Sequence, residues 1–219
     1  PSDYISNEYP VFSRIEDCHV EADVIVDFTS AKAVDDLLAY SVKRRLPLVL
    51  CTTGLSREQE AAVEAAAGHV AILKSANMSL GINLLLDLLG KAATVLAPAG
   101  FDMEIVEKHH NQKVDAPSGT ALALADSMNQ ALSNAYTYQY DRTGERKKRE
   151  KNEIGILAFR GGTIVGEHEV FFAGTDEVIT FSHTAYSRNV FARGALEAAK
   201  FLRDKPAGRY SMQDVIRER

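Results

Sequence analysis

Short apolar runs alternate with helical patterns along the first half of this 219-residue chain. The apolar runs predict strands at residues 23–28, 47–51 and 70–74, and the helical patterns cover residues 31–44, 56–68 and 82–96. Strands joined by helices run parallel, because the helix returns the chain to the edge of the sheet where it began. The alternation therefore predicts an α/β fold with an incomplete Rossmann-like, doubly wound parallel sheet.

The pattern changes after residue 97. A strand at 102–108 and a helix at 118–135 precede three strand-like runs, at 154–160, 164–173 and 177–185, with no helix between them. Consecutive runs of this kind predict an antiparallel meander. We therefore expect a second, α+β module with an open mixed or antiparallel sheet. A last helix is predicted at 190–203, where Ser187 and Asn189 offer capping side chains, and it fits either module.

Composition excludes several classes of function. The formal net charge of −5 argues against a general nucleic-acid binder, which needs a basic surface. The longest apolar stretch, 82–98, contains Asp87 and Lys91 and predicts a buried helix rather than a membrane span. Cys18 and Cys51 match no metal or redox spacing, so no disulfide framework is expected. The start of the chain lacks a secretory signal, so we expect a cytoplasmic protein with small-molecule partners.

The densest group of polar residues follows the strand at 102–108. His109, His110 and Lys113 precede a helix that begins near Ser118. Free N–H groups of Gly119-Thr120 at the positive end of that helix suit a carboxylate or phosphate, and a histidine suits proton transfer near neutrality. The alternative is a pair of hydrogen-bonded loop histidines, which the convergence of cations disfavours. A metal site is disfavoured because adjacent histidines rarely reach one ion.

Polar residues also follow each predicted strand of the first half. These segments are residues 27–30, 51–54 and 75–78. Because the carboxyl ends of parallel strands line the ligand crevice of a doubly wound sheet, all three could face one ligand.

Other polar features are expected to be structural. Arg160-Gly161-Gly162 with Gly166 predicts a hairpin turn, because it joins two strands and opens no helix. The charged segment at 141–151 predicts a solvated loop rather than an anion site. His168 and His183 fall within strands and are expected to be structural.

Together these segments resemble the dihydrodipicolinate reductase family. The most specific motif is Glu107-x-His109-His110-x-x-Lys113-x-Asp115-x-Pro117-Ser118-Gly119-Thr120-Ala121, with Asp27-Phe28-Thr29, Thr52-Thr53-Gly54, Ala76-Asn77-Met78-Ser79 and Arg160-Gly161-Gly162-x-x-x-Gly166-x-His168 in family order around it. The likeness covers nearly the whole chain. It implies reduction of 4-hydroxy-tetrahydrodipicolinate with NADH or NADPH, in the diaminopimelate and lysine pathway.

The resemblance also implies roles for particular residues. His109 would be the general acid, and Lys113 a second proton donor or electrostatic stabiliser. The substrate carboxylates would be held by His110, Ser118, Gly119 and Thr120, and the cofactor by Phe28, Thr29, Cys51, Thr52, Thr53, Ser75, Ala76, Asn77 and Met78. Residues 1–78 and 189–219 would form a partial dinucleotide-binding domain, and residues 79–188 a domain for substrate binding and assembly of a homotetramer.

One departure from the family pattern concerns the first dinucleotide-binding turn. Family members begin with a strand and a Gly-x-x-Gly-x-Met-Gly turn, on which the pyrophosphate rests, and this sequence lacks both. We therefore expect weak cofactor binding by this polypeptide. Two competing hypotheses are an inactive family member that only forms oligomers, and a lyase in which Lys113 forms a Schiff base.

Overall fold

The computed structural model describes residues 9–75, 77–144 and 146–218. The chain divides into two compact units: Pro1–Ser75 with Ala195–Ser211 form unit 1, and Ala76–Gly194 with Met212–Arg219 form unit 2. The strands are β1 (Ile25–Asp27), β2 (Leu48–Leu50), β3 (Ala71–Lys74), β4 (Asp102–His109), β5 (Thr137–Gln139), β6 (Glu153–Arg160), β7 (Gly166–Ala173), β8 (Val178–Ala185) and β9 (Gly208–Tyr210). The α-helices are α1 (Val34–Arg44), α2 (Arg57–Ala67), α3 (Leu80–Leu96), α4 (Gly119–Ala131), α5 (Asn189–Leu202) and α6 (Met212–Arg217).

Unit 1 is built on a parallel sheet of order β1-β2-β3-β9. Strand β2 is buried at all three positions, as expected for a parallel strand covered on both faces. Helix α2 begins with a capping box, in which Ser56 accepts a hydrogen bond from the backbone of Gln59 and the Gln59 side chain accepts one in return. The α/β class and the predicted strand–helix alternation are confirmed here.

Unit 2 contains a five-stranded mixed sheet of order β5-β6-β4-β7-β8. The expected meander is wrong in one respect, because β4 lies between β6 and β7 and pairs with both. The segment Arg160-Gly161-Gly162 is therefore not a hairpin turn between paired strands, although β7 and β8 do form an antiparallel pair. Strand β6 runs parallel to β4 and to β5, which makes the sheet mixed.

Strand β4 alternates between a buried face and a more exposed one. Met103, Ile105, Glu107 and His109 are buried on the face that packs against α3 and α4. Apolar side chains fill this core from the start of β4, each stabilising the fold by about 1.5–3 kcal/mol when fully buried. The same face becomes polar toward the end of the strand. The register of β4 thus carries the two polar residues into a largely buried position.

The expected charged loop at 141–151 is exposed at Arg146, Lys147 and Lys148. Arg149 differs, since its guanidinium donates to Glu104 at 3.0 Å and its side chain is only 18% exposed. This arginine anchors the loop to the sheet instead of facing water.

Three short elements, β5, β9 and α6, were not predicted. Helix α6 packs against α3 within unit 2, whereas the sequence-based division assigned residues 189–219 to the first domain. Among the helices of the described ranges, none has both the length and the apolar character needed to cross a bilayer. Cys18 and Cys51 are free thiols.

Candidate functional site

The end of β4 and the beginning of α4 meet at the carboxylate of Glu107. Glu107 is fully buried, and its Oε1 accepts a hydrogen bond from the backbone N–H of Ser118 at 2.9 Å. Ser118 is the N-cap of α4, and its Oγ accepts from the N–H of Ala121 at 3.2 Å. Strand and helix are therefore joined at the place where the sequence predicts the site.

Arg160 holds Glu107 from the neighbouring strand β6. Its two terminal nitrogens donate to Oε1 and Oε2 of Glu107 at 2.7 and 2.8 Å, a bidentate arrangement. Burial raises the pKa of the Glu107 carboxyl, but hydrogen bonds from Arg160, His109 and the N–H of Ser118 outweigh burial, so the pKa lies below its ordinary value. Glu107 is consequently a carboxylate at neutral pH.

His109 uses one ring nitrogen for this carboxylate. Its Nδ1 lies 2.5 Å from Oε2 of Glu107, and an ionised carboxylate can only accept, so Nδ1 carries a hydrogen. Burial lowers the pKa of His109, and the contact with Glu107 partly opposes that shift. The other nitrogen, Nε2, faces Gly166, where an added Cβ would lie 3.1 Å away. Glycine at 166 thus leaves room for the ring.

His168 lies beside His109, with the two ring centroids 5.2 Å apart. The Nε2 of His168 lies 3.1 Å from Oγ of Ser118, and its Nδ1 is a buried atom with no hydrogen-bond partner in the described chain. Burial lowers the pKa of His168 to about 3. His168 is therefore neutral, and it contacts the site, unlike the purely structural residue that we expected.

Lys113 and the first turn of α4 provide positive charge. Lys113 Nζ lies 2.8 Å from a carboxylate oxygen of Asp115, and this hydrogen bond is the main reason why the pKa of Asp115 lies below its ordinary value. Gly119 is exposed and Thr120 is half-buried at the start of α4. The loop before them is closed by the carbonyl of His110, which accepts from the N–H of Lys113 at 3.2 Å.

Ser118 is placed differently from the other residues predicted to hold substrate. Its backbone N–H and its hydroxyl are both engaged by protein groups, and the residue is 2% exposed. Its contacts therefore orient the start of α4, and binding of substrate by Ser118 stays a prediction.

The segment 75–78 is only partly described, because Ala76 lies outside the described residues. Ser75 is half-buried and Met78 is buried. The Asn77 side chain donates to Oγ1 of Thr120 at 3.0 Å and accepts from the N–H of Ser79 at 2.8 Å. A residue predicted to contact cofactor thus touches one predicted to contact substrate, within unit 2.

In unit 1, the buried carboxylate of Asp27 joins the ends of β1 and β2. It accepts from the N–H and the hydroxyl of Thr29 at 3.0 and 2.6 Å, and from the hydroxyl of Thr52 at 2.6 Å. Phe28 is 55% exposed beside them, and Thr53 is also exposed. The edge thus presents the exposed side chains of Phe28 and Thr53, whereas the hydroxyls of Thr29 and Thr52 are engaged by Asp27, and cofactor binding here stays a prediction.

Cys51, at the end of β2, is partly buried. Burial, followed by the charge of Asp27, raises the pKa of its thiol to about 12. The thiol therefore stays protonated and is not a nucleophile, and its predicted contact with the cofactor stays a prediction.

Sequence reasoning assigned no catalytic or binding role to Glu107, Arg160 or His168, although all three stand in the family motifs. Strand register brings them together, because His109 pairs with Arg160 and Glu107 pairs with His168 across adjacent strands. Apart from the motifs, the usable signal was the spacing of Glu107 and His109, which puts both on the same face of a strand. The described residues hold no group of three or more His, Cys, Asp or Glu side chains suited to a metal ion.

Comparison with known proteins finds one family along nearly the whole chain. The family model "Dihydrodipicolinate reductase, N-terminus" matches residues 2–78, and "Dihydrodipicolinate reductase, C-terminus" matches residues 81–216. The chain is 53% identical to a 4-hydroxy-tetrahydrodipicolinate reductase of Caldanaerobacter subterraneus subsp. tengcongensis, over 96% of this chain and 83% of the relative. It is 50% identical to the enzyme of that name from Clostridium novyi, over 98% of this chain and 84% of the relative.

A solved structure has a similar fold. It is the dipicolinate-bound dihydrodipicolinate reductase of Paenisporosarcina sp. TG-14, with a TM-score of 0.71 at 23% sequence identity. The match covers 88% of this chain and 73% of that one. At this identity the likeness supports the fold alone.

Proposed function

Since the chain belongs to the dihydrodipicolinate reductase family, we propose that it reduces 4-hydroxy-tetrahydrodipicolinate with a nicotinamide nucleotide. One observation carries the proposal at the level of chemistry. A histidine with a free Nε2, a lysine and the positive end of a helix lie within one unit. These are the groups that a reaction with a dicarboxylate and a proton transfer to carbon requires.

We propose that the N–H groups of Gly119 and Thr120 bind a carboxylate of the substrate, which would take the place of the Asp115 carboxylate that the Gly119 N–H contacts in the structure. They open α4, where the helix dipole favours an anion, and the Thr120 hydroxyl can donate a further hydrogen bond. Lys113 adds a full positive charge two residues from Asp115, with which it is paired. His110 would hold the substrate from the same loop. The ring would thus be bound by its carboxylates, leaving its carbons free.

The proton donor in this proposal is Nε2 of His109. When bound, the nicotinamide cofactor supplies the hydride that reduces the cyclic enimine formed by loss of water. The protonated His109 then transfers the hydrogen on Nε2 to the adjacent ring carbon, and the neutral ring keeps its hydrogen on Nδ1 toward Glu107. Lys113 stabilises negative charge that develops on the substrate.

For the cofactor, we propose contacts at the carboxyl edge of the sheet of unit 1. Phe28, Thr29, Cys51, Thr52 and Thr53 lie there, with Ser75 at the end of β3. The carboxylate of Asp27 accepts three hydrogen bonds and holds two of these strand ends in place, which supports a preformed edge. We propose that Ala76, Asn77 and Met78 also contact the cofactor. Titration with each nucleotide distinguishes NADH from NADPH.

We also propose that the enzyme is a cytoplasmic homotetramer. The outer face of the five-stranded sheet supports assembly, because Leu157, Phe159 and Val178 are 48%, 52% and 60% exposed there. Exposed apolar side chains on one sheet face are a feature of many protein interfaces, and here they lie on β6 and β8 with charged residues of β4 and β7 between them. Sedimentation of the purified chain tests this, and a Leu157→Lys variant should sediment as a smaller species.

The Lys113 Schiff-base hypothesis gains no support from the geometry. A lysine nucleophile attacks through a neutral amine, whereas Lys113 forms an ion pair with Asp115 at 2.8 Å. Borohydride treatment with a keto acid would leave an adduct on Lys113 if the lyase hypothesis were correct.

The direct test is titration of the chain with NADH and NADPH, following nicotinamide fluorescence, with and without pyridine-2,6-dicarboxylate. We expect the dicarboxylate to bind and to strengthen cofactor binding. His109→Gln should lower kcat by about 100-fold or more while the affinity for the dicarboxylate changes little. A chain that binds neither compound, or a variant whose loss is confined to affinity, would overturn the proposed reaction or the role of His109, respectively.

A further inference from the structure

Glu107 is a fully buried carboxylate that accepts four hydrogen bonds, one of them from His109. Its Oε1 accepts from the Ser118 N–H and from Arg160, and its Oε2 accepts from His109 and from Arg160. Burying a charge is unfavourable unless several hydrogen bonds compensate for it. Four donors on a fully buried carboxylate indicate a group whose orientation is fixed in every direction.

We infer that Glu107, kept ionised by Arg160, is a positioning residue that holds the hydrogen of His109 on Nδ1 and so reserves Nε2 for proton transfer. The catalytic meaning of this inference rests on the proposed function. The geometry behind it does not, because a carboxylate 2.5 Å from Nδ1 selects one tautomer in any chemistry.

Arg160 restricts the release of a proton from His109 to one of its two ring nitrogens. Besides its two bonds to Glu107, it donates to the carbonyls of Asp115 and Phe159, each at 2.7 Å. The guanidinium is therefore held by four acceptor atoms, and its charge opposes transfer of the Nδ1 hydrogen onto Glu107. With that route closed, a protonated His109 can release a proton only from Nε2.

The same carboxylate also sets the distance between acid and substrate. One oxygen of Glu107 accepts from His109, while the other accepts from the N–H of Ser118, which begins α4. Glu107 thus contacts both the proposed proton donor, His109, and the start of the helix that is proposed to bind the substrate carboxylate. Displacing Glu107 would disturb both the tautomer and this spacing.

Four charged or titratable groups face His109, one from each segment around it. They are Glu107 on the same strand, Arg160 on β6, His168 on β7 and Lys113 in the following loop. Glu107 is the anion among them, and it favours the protonated ring. Lys113 and Arg160 oppose protonation, and His168 is neutral. Removing the charge of Glu107 should therefore shift the titration of His109 to lower pH.

The experiment compares Glu107→Gln with Glu153→Gln in the full chain. Glu153 is a matched control, since it is also buried and is bound by an arginine of the same unit, Arg142, but lies away from His109. Side-chain nitrogen NMR of histidine-labelled protein reports tautomer and protonation, and a His109→Gln spectrum assigns the His109 signals.

We expect His109 of the unaltered chain to hold its hydrogen on Nδ1. In Glu107→Gln we expect a mixture of tautomers, titration at lower pH and a fall in kcat of about 10- to 100-fold, with dicarboxylate affinity changed by less than about threefold. Glu153→Gln should alter stability without changing the His109 signals. A Glu107→Gln spectrum and titration identical to those of the unaltered chain would overturn the inference.

Two further measurements keep the outcomes separate. If Glu107→Gln does not fold, Arg160→Lys replaces it. Lysine keeps the positive charge but cannot make the bidentate contact, so the Glu107 carboxylate is held less firmly and signals of the second His109 tautomer should appear. Tautomer signals identical to those of the unaltered chain would contradict the inference. A tautomer shift in a chain that neither binds dicarboxylate nor turns over would support the role of Glu107 in fixing the ring while refuting the proposed reaction.

Discussion

The hydroxyl of Thr120 accepts a hydrogen bond from the side-chain amide of Asn77, with 3.0 Å between Nδ2 and Oγ1. Asn77 also accepts from the N–H of Ser79, the N-cap of α3. Asn77 therefore ties the start of α3 to the start of α4. Because the oxygen of Thr120 accepts from Asn77, its own hydrogen is directed away and can be donated to a ligand.

Asn77 and Thr120 should act together in dicarboxylate binding. Asn77→Ala and Thr120→Val should each weaken binding of pyridine-2,6-dicarboxylate by about 5- to 10-fold, the value of roughly one hydrogen bond. The double variant should lose much less than the product of the two, because either change removes the same oriented hydroxyl. Calorimetric titration of the four proteins measures this, and strictly additive losses would disprove the coupling.

Gly166→Ala should impair proton transfer. The added Cβ would lie 3.1 Å from Nε2 of His109, so the ring must move by a few tenths of an ångström. We expect kcat to fall about 10-fold, since small misplacements of a reacting group slow catalysis strongly. Gly144→Ala is the matched control, because a methyl group there meets nothing within 4 Å. Equal kcat values for the two variants would show that the space beside Nε2 is not needed.

Stability should fall as the pH drops below about 6.5, the ordinary pKa of histidine. Burial lowers the pKa of His168 to about 3 and also lowers those of His109 and His183. At a pH between the ordinary pKa and the lowered one, the unfolded chain binds a proton on such a histidine that the folded chain does not. The stability that the neutral histidines contribute is therefore fully present above the ordinary pKa and is lost as the pH falls through the lowered pKa.

His168→Gln tests the share of one ring in this loss. Each proton taken up on unfolding changes the free energy of unfolding by about 1.4 kcal/mol per pH unit. Urea denaturation between pH 7 and about pH 5 should therefore give a slope shallower by up to about one proton in the variant. His19→Gln, in which an exposed histidine is changed, is the control for substitution itself. A slope unaffected by His168→Gln would mean that His168 is protonated in the folded chain.

Arg149→Ala should destabilise unit 2. Its guanidinium binds the carboxylates of Glu104 and Asp102 at 3.0 and 2.8 Å and the backbone carbonyl of Glu153 at 2.6 Å. Removing it takes one donor from the Glu153 carbonyl and the partner from Asp102, whereas Glu104 keeps Arg142 at 2.7 Å, so we expect a loss of about 1–2 kcal/mol in the free energy of unfolding. The exposed neighbour Lys148 gives the comparison, because Lys148→Ala should change stability by less than about 0.5 kcal/mol. Similar values for the two would favour a fully solvated loop.

Much of the fold could be predicted because periodicity identifies strands and helices directly. The order of strands could not, since β6 and β7 are neighbours along the chain but are separated by β4 in the sheet. Hydrophobic alternation reports which residues are buried and does not report which strand lies alongside. The three-residue strands β5 and β9 are defined almost entirely by their pairing with β6 and β3, which no local pattern records.

The same limit applies to the candidate site. His109, Lys113 and the start of α4 are close in sequence, so their convergence was predictable from one segment. Arg160 and His168 reach that segment through strand register across β4, at sequence separations that leave no local trace. Their conjunction with Glu107 emerges only when the sheet is assembled.

Strand β4 is paired along most of its length with a strand on each side. Its amide hydrogens should accordingly be among the slowest of unit 2 to exchange, and His109 projects from this resistant backbone. The connection that follows, residues 110–118, lies outside the sheet and carries His110 and Lys113. Its amide hydrogens should exchange faster than those of β4. In the proposed function, a bound dicarboxylate would therefore slow exchange in this connection, while the backbone that carries His109 is protected before the ligand arrives.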